Sequence, residues 1–130
     1  MAKTQVTKTV LVVEDEADVR NFASRVLELE GYHVLQTENS EEGMRLARES
    51  QVALVLLDLR LPGSDGWAML EQMKSEPGLS GIPVIVFTAS AGISQRERAL
   101  SIGAADYLVK PLSSARLRKA VARILQQQNR

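Results

Sequence analysis

Residues 53–58 read ALVLLD. Five apolar residues in succession leave neither face of a strand for water, the pattern of a central parallel strand covered by helices on both sides. The run stops on a carboxylate, Asp58. Working outward, the chain repeats the same theme. TVLVVE (9–14), YHVLQTE (32–38), IPVIVFTA (82–89) and ADYLVK (105–110) are further strand candidates. The polar content of 32–38 suggests an edge position, and Pro83 is tolerated at the start of its strand. Helical stretches stand between them. Residues 17–30 carry Val19, Phe22, Val26 and Leu29 at helical spacing, and Gly31 closes that helix as a C′ glycine. Ser40 is read as the cap of a helix over 41–50. A helix over about 66–75 carries Trp67, Leu70 and Met73. Ser94 and Glu97 form a capping-box pattern for a helix to about 102. Ser113 begins the last helix, with Leu117, Val121 and Ile124 inward. LPGSDG (61–66) is a loop in which Pro62, Gly63 and Gly66 form turns. Five β–α units in alternation predict an α/β fold, a parallel sheet with helices on both faces.

A chain of 130 residues suits one domain with one core. Its expected extent is 1–130, with a core over about 8–127 and frayed tails at 1–7 and 126–130. Sixteen basic residues balance 16 acidic ones, so global charge offers no attraction to nucleic acid or membrane. Without cysteine there are no disulfides and no cysteine-ligated metal sites. The start, MAKTQVTK, lacks the apolar stretch of a signal peptide. The longest apolar run, Val52 to Leu57, is too short to cross a bilayer. The expectation is a cytoplasmic protein with no direct nucleic-acid contact and no membrane association.

In such sheets, ligands bind beyond the carboxyl ends of the strands. There the first strand ends on Glu14 and Asp15, the third on Asp58, the fourth on Thr88 and the fifth on Lys110. Two like charges about 4 Å apart repel by roughly 4 kcal/mol at an effective dielectric near 20. A proton or a cation must therefore compensate them. Lys110 supplies one positive charge, and carboxylate ligands suit Mg²⁺ or Mn²⁺. A carboxylate nucleophile, a hard cation, a lysine and a hydroxyl are the parts needed for phosphoryl transfer to aspartate. Glu16 and Asp18 are assigned to the start of the following helix, whose dipole favours negative charge. His33 is read as an exposed edge-strand residue, and Trp67 as packing. The last helix carries Arg116, Arg118, Lys119 and Arg123, with no acid from residue 113 onward. This is either a solvated face or an output surface for an acidic partner.

At these residues the chain resembles the receiver (REC) domain of two-component response regulators. The motifs are VLVVEDE at the first strand, LLDLRLPGSDGW around Asp58, VIVFTA at the fourth strand and GAADYLVKPL at the fifth. The likeness covers about residues 8–127. It implies a flavodoxin-like (βα)5 doubly wound sandwich with strand order 2-1-3-4-5. It also implies that Asp58 takes a phosphoryl group from a phosphohistidine on a sensor histidine kinase or histidine phosphotransfer protein. Asp15, Asp58 and the backbone carbonyl of Arg60 would ligate Mg²⁺, with Glu14 acting through water. Lys110 would bind a phosphoryl oxygen, Thr88 would move to the phosphoryl group, and Tyr107 would turn inward behind it. The Lys110–Pro111 bond is expected to be cis. The fourth helix, fifth strand and fifth helix, about residues 94 to 125, would form the surface that controls a partner or output domain. The outward side of the first helix, around Ala17, Asn21, Ser24 and Glu28, would receive the kinase. The protein would be a signalling domain that catalyses its own aspartyl phosphorylation and slow autodephosphorylation, monomeric or dimerising on phosphorylation. It departs from the commonest family pattern in having Glu14-Asp15 where an Asp-Asp pair is usual. It also carries Arg60, a cation that could pair with Glu14.

Three other readings compete with this one. A phosphatase of the aspartate-nucleophile type needs a second acid two residues after the nucleophile, where this chain has Arg60. A nucleotide- or flavin-binding protein needs a phosphate-cradling loop after the first strand, where this chain has acids. A receiver-like interaction module that is never phosphorylated remains open on sequence alone. So does the choice between a stand-alone regulator and a part of a larger one.

Overall fold

A computed structural model of the chain describes residues 7–61 and 64–128. The turn expected at Pro62 and Gly63, residues 1–6 and residues 129–130 lie outside the described residues. In chain order the elements are β1 (Thr9–Val13), α1 (Ala17–Leu29), β2 (His33–Thr37), α2 (Ser40–Glu49) and β3 (Leu54–Leu57). There follow β4 (Arg60–Leu61), β5 (Ser64–Asp65), α3 (Gly66–Ser75), β6 (Val84–Thr88), α4 (Ile93–Ile102), β7 (Asp106–Val109) and α5 (Ser114–Gln128). The main sheet has the order β2-β1-β3-β6-β7, and every neighbouring pair in it is parallel. This is the doubly wound order expected, with β6 and β7 as its fourth and fifth strands. β4 and β5 form a separate two-residue antiparallel pair between β3 and α3.

Alternation along each strand divides the core in two, because successive side chains point to opposite faces. Leu11, Val13, Val55, Leu57, Val84 and Val86 join Met44, Met69, Leu70 and Met73 on one face. Val10, Val12, Leu54, Leu56, Ile85 and Phe87 join Leu27, Leu117, Val121 and Ile124 on the other. The four residues of β3 are buried throughout, as a strand covered on both sides requires. His33 is exposed at the start of the edge strand β2.

The structure corrects four local expectations. On α1 the buried stripe is Ala23, Ser24, Val26 and Leu27. Phe22 and Leu29 are 43% and 71% exposed. Two apolar series share this helix at helical spacing, and the sheet takes the one containing the small residues. Ser24 is therefore buried, not on the outward face expected to dock a kinase. α2 is capped by Asn39, whose side chain accepts from the Glu42 amide at 2.8 Å, not by Ser40. α4 begins at Ile93 after Gly92 with no side-chain cap, so Ser94 lies inside the helix and the capping box does not form. Gln126 to Gln128 continue α5 instead of fraying. Two other features follow expectation. Gly31 has φ +95 beyond the end of α1, where a Cβ would be strained. Ser113 caps α5, its hydroxyl accepting from the Arg116 amide at 3.1 Å.

Candidate functional site

The parallel ladder brings the site together. Val13 pairs with Leu57, so the next residues, Glu14 and Asp58, emerge side by side. The Asp58 amide donates to the Val13 carbonyl at 3.0 Å. Thr88 pairs with Val109, and the Lys110 amide donates to the Thr88 carbonyl at 2.9 Å. Four chain segments thus reach one rim through backbone bonds that do not depend on the side chains they carry.

Carboxylate oxygens of Glu14, Asp15 and Asp58 lie within 4.8 Å of one another. Glu14 is fully buried and Asp58 nearly so. The Lys110 ammonium bridges them, donating to Glu14 Oε1 at 2.5 Å and to Asp58 Oδ2 at 3.1 Å. The remaining oxygens have backbone partners. The Glu16 amide donates to Glu14 Oε2 at 3.0 Å, and the Arg60 amide donates to Asp58 Oδ1 at 3.0 Å. Glu14 pairs with Lys110 rather than with Arg60, the partner considered from sequence. Burial raises the Glu14 carboxyl above its ordinary range, and the hydrogen bond from Lys110 only partly opposes it. Burial also works against the Lys110 ammonium, but its two carboxylate partners together outweigh that and hold its pKa above the ordinary value.

An all-oxygen set containing two or three carboxylates fits a hard divalent cation such as Mg²⁺. Glu14, Asp15 and Asp58 offer that set here. Thr88 is fully buried at the end of β6, and the Ser90 amide approaches its hydroxyl at 3.5 Å. Tyr107 is already inward, 4% exposed, and its hydroxyl donates to the Ser90 carbonyl at 2.7 Å. The Lys110–Pro111 bond is cis.

Two contributors were missed in the sequence. Arg20 Nη1 donates to the carbonyls of Glu14 at 2.9 Å and Asp15 at 3.4 Å, tying the acidic turn to α1. No short motif signals a contact six residues away. Gly66, read only as a turn former, packs against the acceptor segment. A Cβ there would lie 2.6 Å from the Asp58 carbonyl oxygen. Beside Lys110 an apolar groove of about 550 Å³ is lined by Val19, Phe22, Phe87, Leu112 and Leu117. Among the described residues, no helix is long and apolar enough to cross a membrane.

The sequence profile described as response regulator receiver domain matches residues 10–122. The chain is 35% identical over 119 residues to the phosphate regulon transcriptional regulatory protein PhoB of Pseudomonas aeruginosa, a match covering 92% of this chain and 51% of that protein. It is 34% identical over 119 residues to the probable transcriptional regulator ycf27 of Porphyridium aerugineum, covering 88% and 48%. A CheY-like response regulator receiver domain protein from Methanospirillum hungatei superposes with a TM-score of 0.87 at 28% identity, over 95% of this chain and 98% of that one. The chain spans about half the length of the curated relatives it matches.

Proposed function

The chain belongs to the response regulator receiver domain family, and from that premise we propose that it is a phosphoacceptor switch whose acceptor is Asp58. The observation that carries the reading is the Lys110 ammonium held between Glu14 and Asp58 on a rim of three carboxylates. A lysine already in contact with the acceptor carboxylate needs little movement to meet a phosphoryl oxygen.

The donor is a phosphohistidine on a sensor histidine kinase or histidine phosphotransfer protein. An Asp58 carboxylate oxygen bonds to phosphorus while the phosphorus–nitrogen bond breaks, its electron pair staying on the imidazole. Lys110 moves onto a phosphoryl oxygen, and the Thr88 hydroxyl donates to another. Asp15, Asp58 and the Arg60 carbonyl would hold Mg²⁺ directly, with Glu14 through water. When bound there, the cation neutralises charge on the transferring oxygens. The donor approaches along α1, where Ala17, Asn21 and Glu28 are exposed and Phe22 borders the apolar groove. The aspartyl phosphate adds close to two negative charges. Thr88, with Tyr107 already inward behind it, carries that change to the face formed by α4, β7 and α5, which meets a partner protein or an output domain. The balanced charge gave an expectation of no nucleic-acid contact. Relatives named as transcriptional regulators, about twice as long as the match, do not support it for the whole protein.

The test is intact-mass measurement after incubation with acetyl phosphate and Mg²⁺, beside Asp58→Asn and a metal-free control. The reading expects one phosphoryl adduct that needs the metal and is absent from Asp58→Asn. No adduct on a folded protein that binds Mg²⁺ would favour an interaction module that is not phosphorylated. An adduct persisting in Asp58→Asn would identify a different nucleophile.

A further inference from the structure

Helix α4 is held by very little. Among the described residues it buries one residue, Ala99, whereas every other helix buries at least four. Ile93 at its start is 73% exposed, and no side chain caps it. Its remaining apolar anchor is Ile102, half-buried against the core at the far end. Between these, α4 also meets α3. The Arg98 guanidinium lies 4.0 Å from the centroid of the Trp67 ring.

Trp67 is itself well anchored. It packs, half-buried, against the core, and it directly follows Gly66, whose Cα leaves no room for a Cβ against the Asp58 carbonyl and Leu59. The root of the ring therefore moves with the backbone of the acceptor segment. A guanidinium is planar and weakly hydrated, which suits stacking better than an ammonium. At a surface, such a contact shifts an equilibrium by about two- to fivefold. That is enough to bias a loosely packed helix, and weak enough for one new ligand at the rim to overcome.

We propose that the Arg98–Trp67 stack is a latch that holds α4 in the arrangement of the unphosphorylated chain. This deepens the receiver reading and rests on it. Phosphorylation at Asp58 has to release the stack to move α4, so the stack sets how readily the switch turns over. Linkage then requires that removing the latch tighten binding at the rim by the same factor that it loosens α4.

The experiment compares the full chain with Arg98→Ala and Arg98→Lys. Arg98 is exposed and lies outside the acceptor site, so both variants should fold. The probe at the rim is beryllofluoride in Mg²⁺, a tetrahedral stand-in for the phosphoryl group, with affinity read by titration calorimetry. Arg98→Ala should bind about two- to fivefold more tightly than wild type, with Arg98→Lys between them. Without any ligand, Arg98→Ala should also exchange its amide hydrogens faster over residues 93–102, with β1 and β3 unchanged. Equal affinity together with equal exchange overturns the latch. A wild type that binds no beryllofluoride overturns the phosphoacceptor reading instead, and the exchange comparison still decides whether the stack holds α4.

Discussion

The strand ends that carry Glu14, Asp58 and Lys110 and the helix α4 are secured in opposite ways. The first are fixed by ladder bonds of the central sheet, with β1 and β3 almost wholly buried. The second rests on Ala99, Ile102 and a surface stack. Groups that must meet a phosphoryl oxygen within tenths of an ångström stand on backbone that cannot shift without breaking the core. The element proposed to respond is the one whose displacement disturbs least packing, and such elements come from the low-stability end of a structure.

Substitutions on the two sides should separate sharply. Ile85→Ala, in the fully buried β6, removes a side chain packed in the core and should lower unfolding stability by about 3 kcal/mol in urea titrations. Lys110→Ala leaves Glu14 buried without its countercharge and should lower stability by about 2 kcal/mol near pH 8. That difference has a defined pH window. Glu14's folded pKa is raised above 4.5, so the stability attached to its neutral form is present at low pH and declines as pH rises through the folded value. Protonating Glu14 in acid removes the need for a countercharge, and the gap between wild type and Lys110→Ala should narrow there. Lys110 itself titrates above the ordinary lysine value of 10.5. Its contribution is complete below 10.5, declines as pH rises through the folded value, and the gap should close again in strong alkali. Paired urea midpoints across this range read both limbs. Ile93→Ala, on exposed α4, should change stability by less than about 0.5 kcal/mol. A large loss there would mean that α4 is more firmly held than its packing indicates.

Much of this contrast was legible in the sequence because parallel strands write it plainly. ALVLLD and IPVIVFTA are apolar on both faces, so β3 and β6 followed as buried strands, while their order in the sheet came from the family resemblance. Once the strands were placed, Glu14, Asp58, Thr88 and Lys110 at the ends of four of them had to lie on the shared rim. What stayed hidden was decided by contacts between distant segments. Two apolar series on α1 satisfy helical spacing, and only the sheet surface selects Ala23 and Leu27 over Phe22 and Leu29. Asn39 and Ser40 are both good caps, and in the structure Asn39 takes the role, accepting from the Glu42 amide. The bond from Arg20 to the acidic turn joins β1's end to α1, and the stacking of Arg98 on Trp67 joins two helices. Neither leaves a local trace.

The most direct test of the contrast is amide hydrogen exchange mapped along the chain in Mg²⁺, with and without acetyl phosphate. The prediction is slow exchange in both states at residues 10–13, 54–57 and 84–88, with the change concentrated at 93–102. A change spread evenly over the chain, or confined to the rim with α4 untouched, would contradict the account.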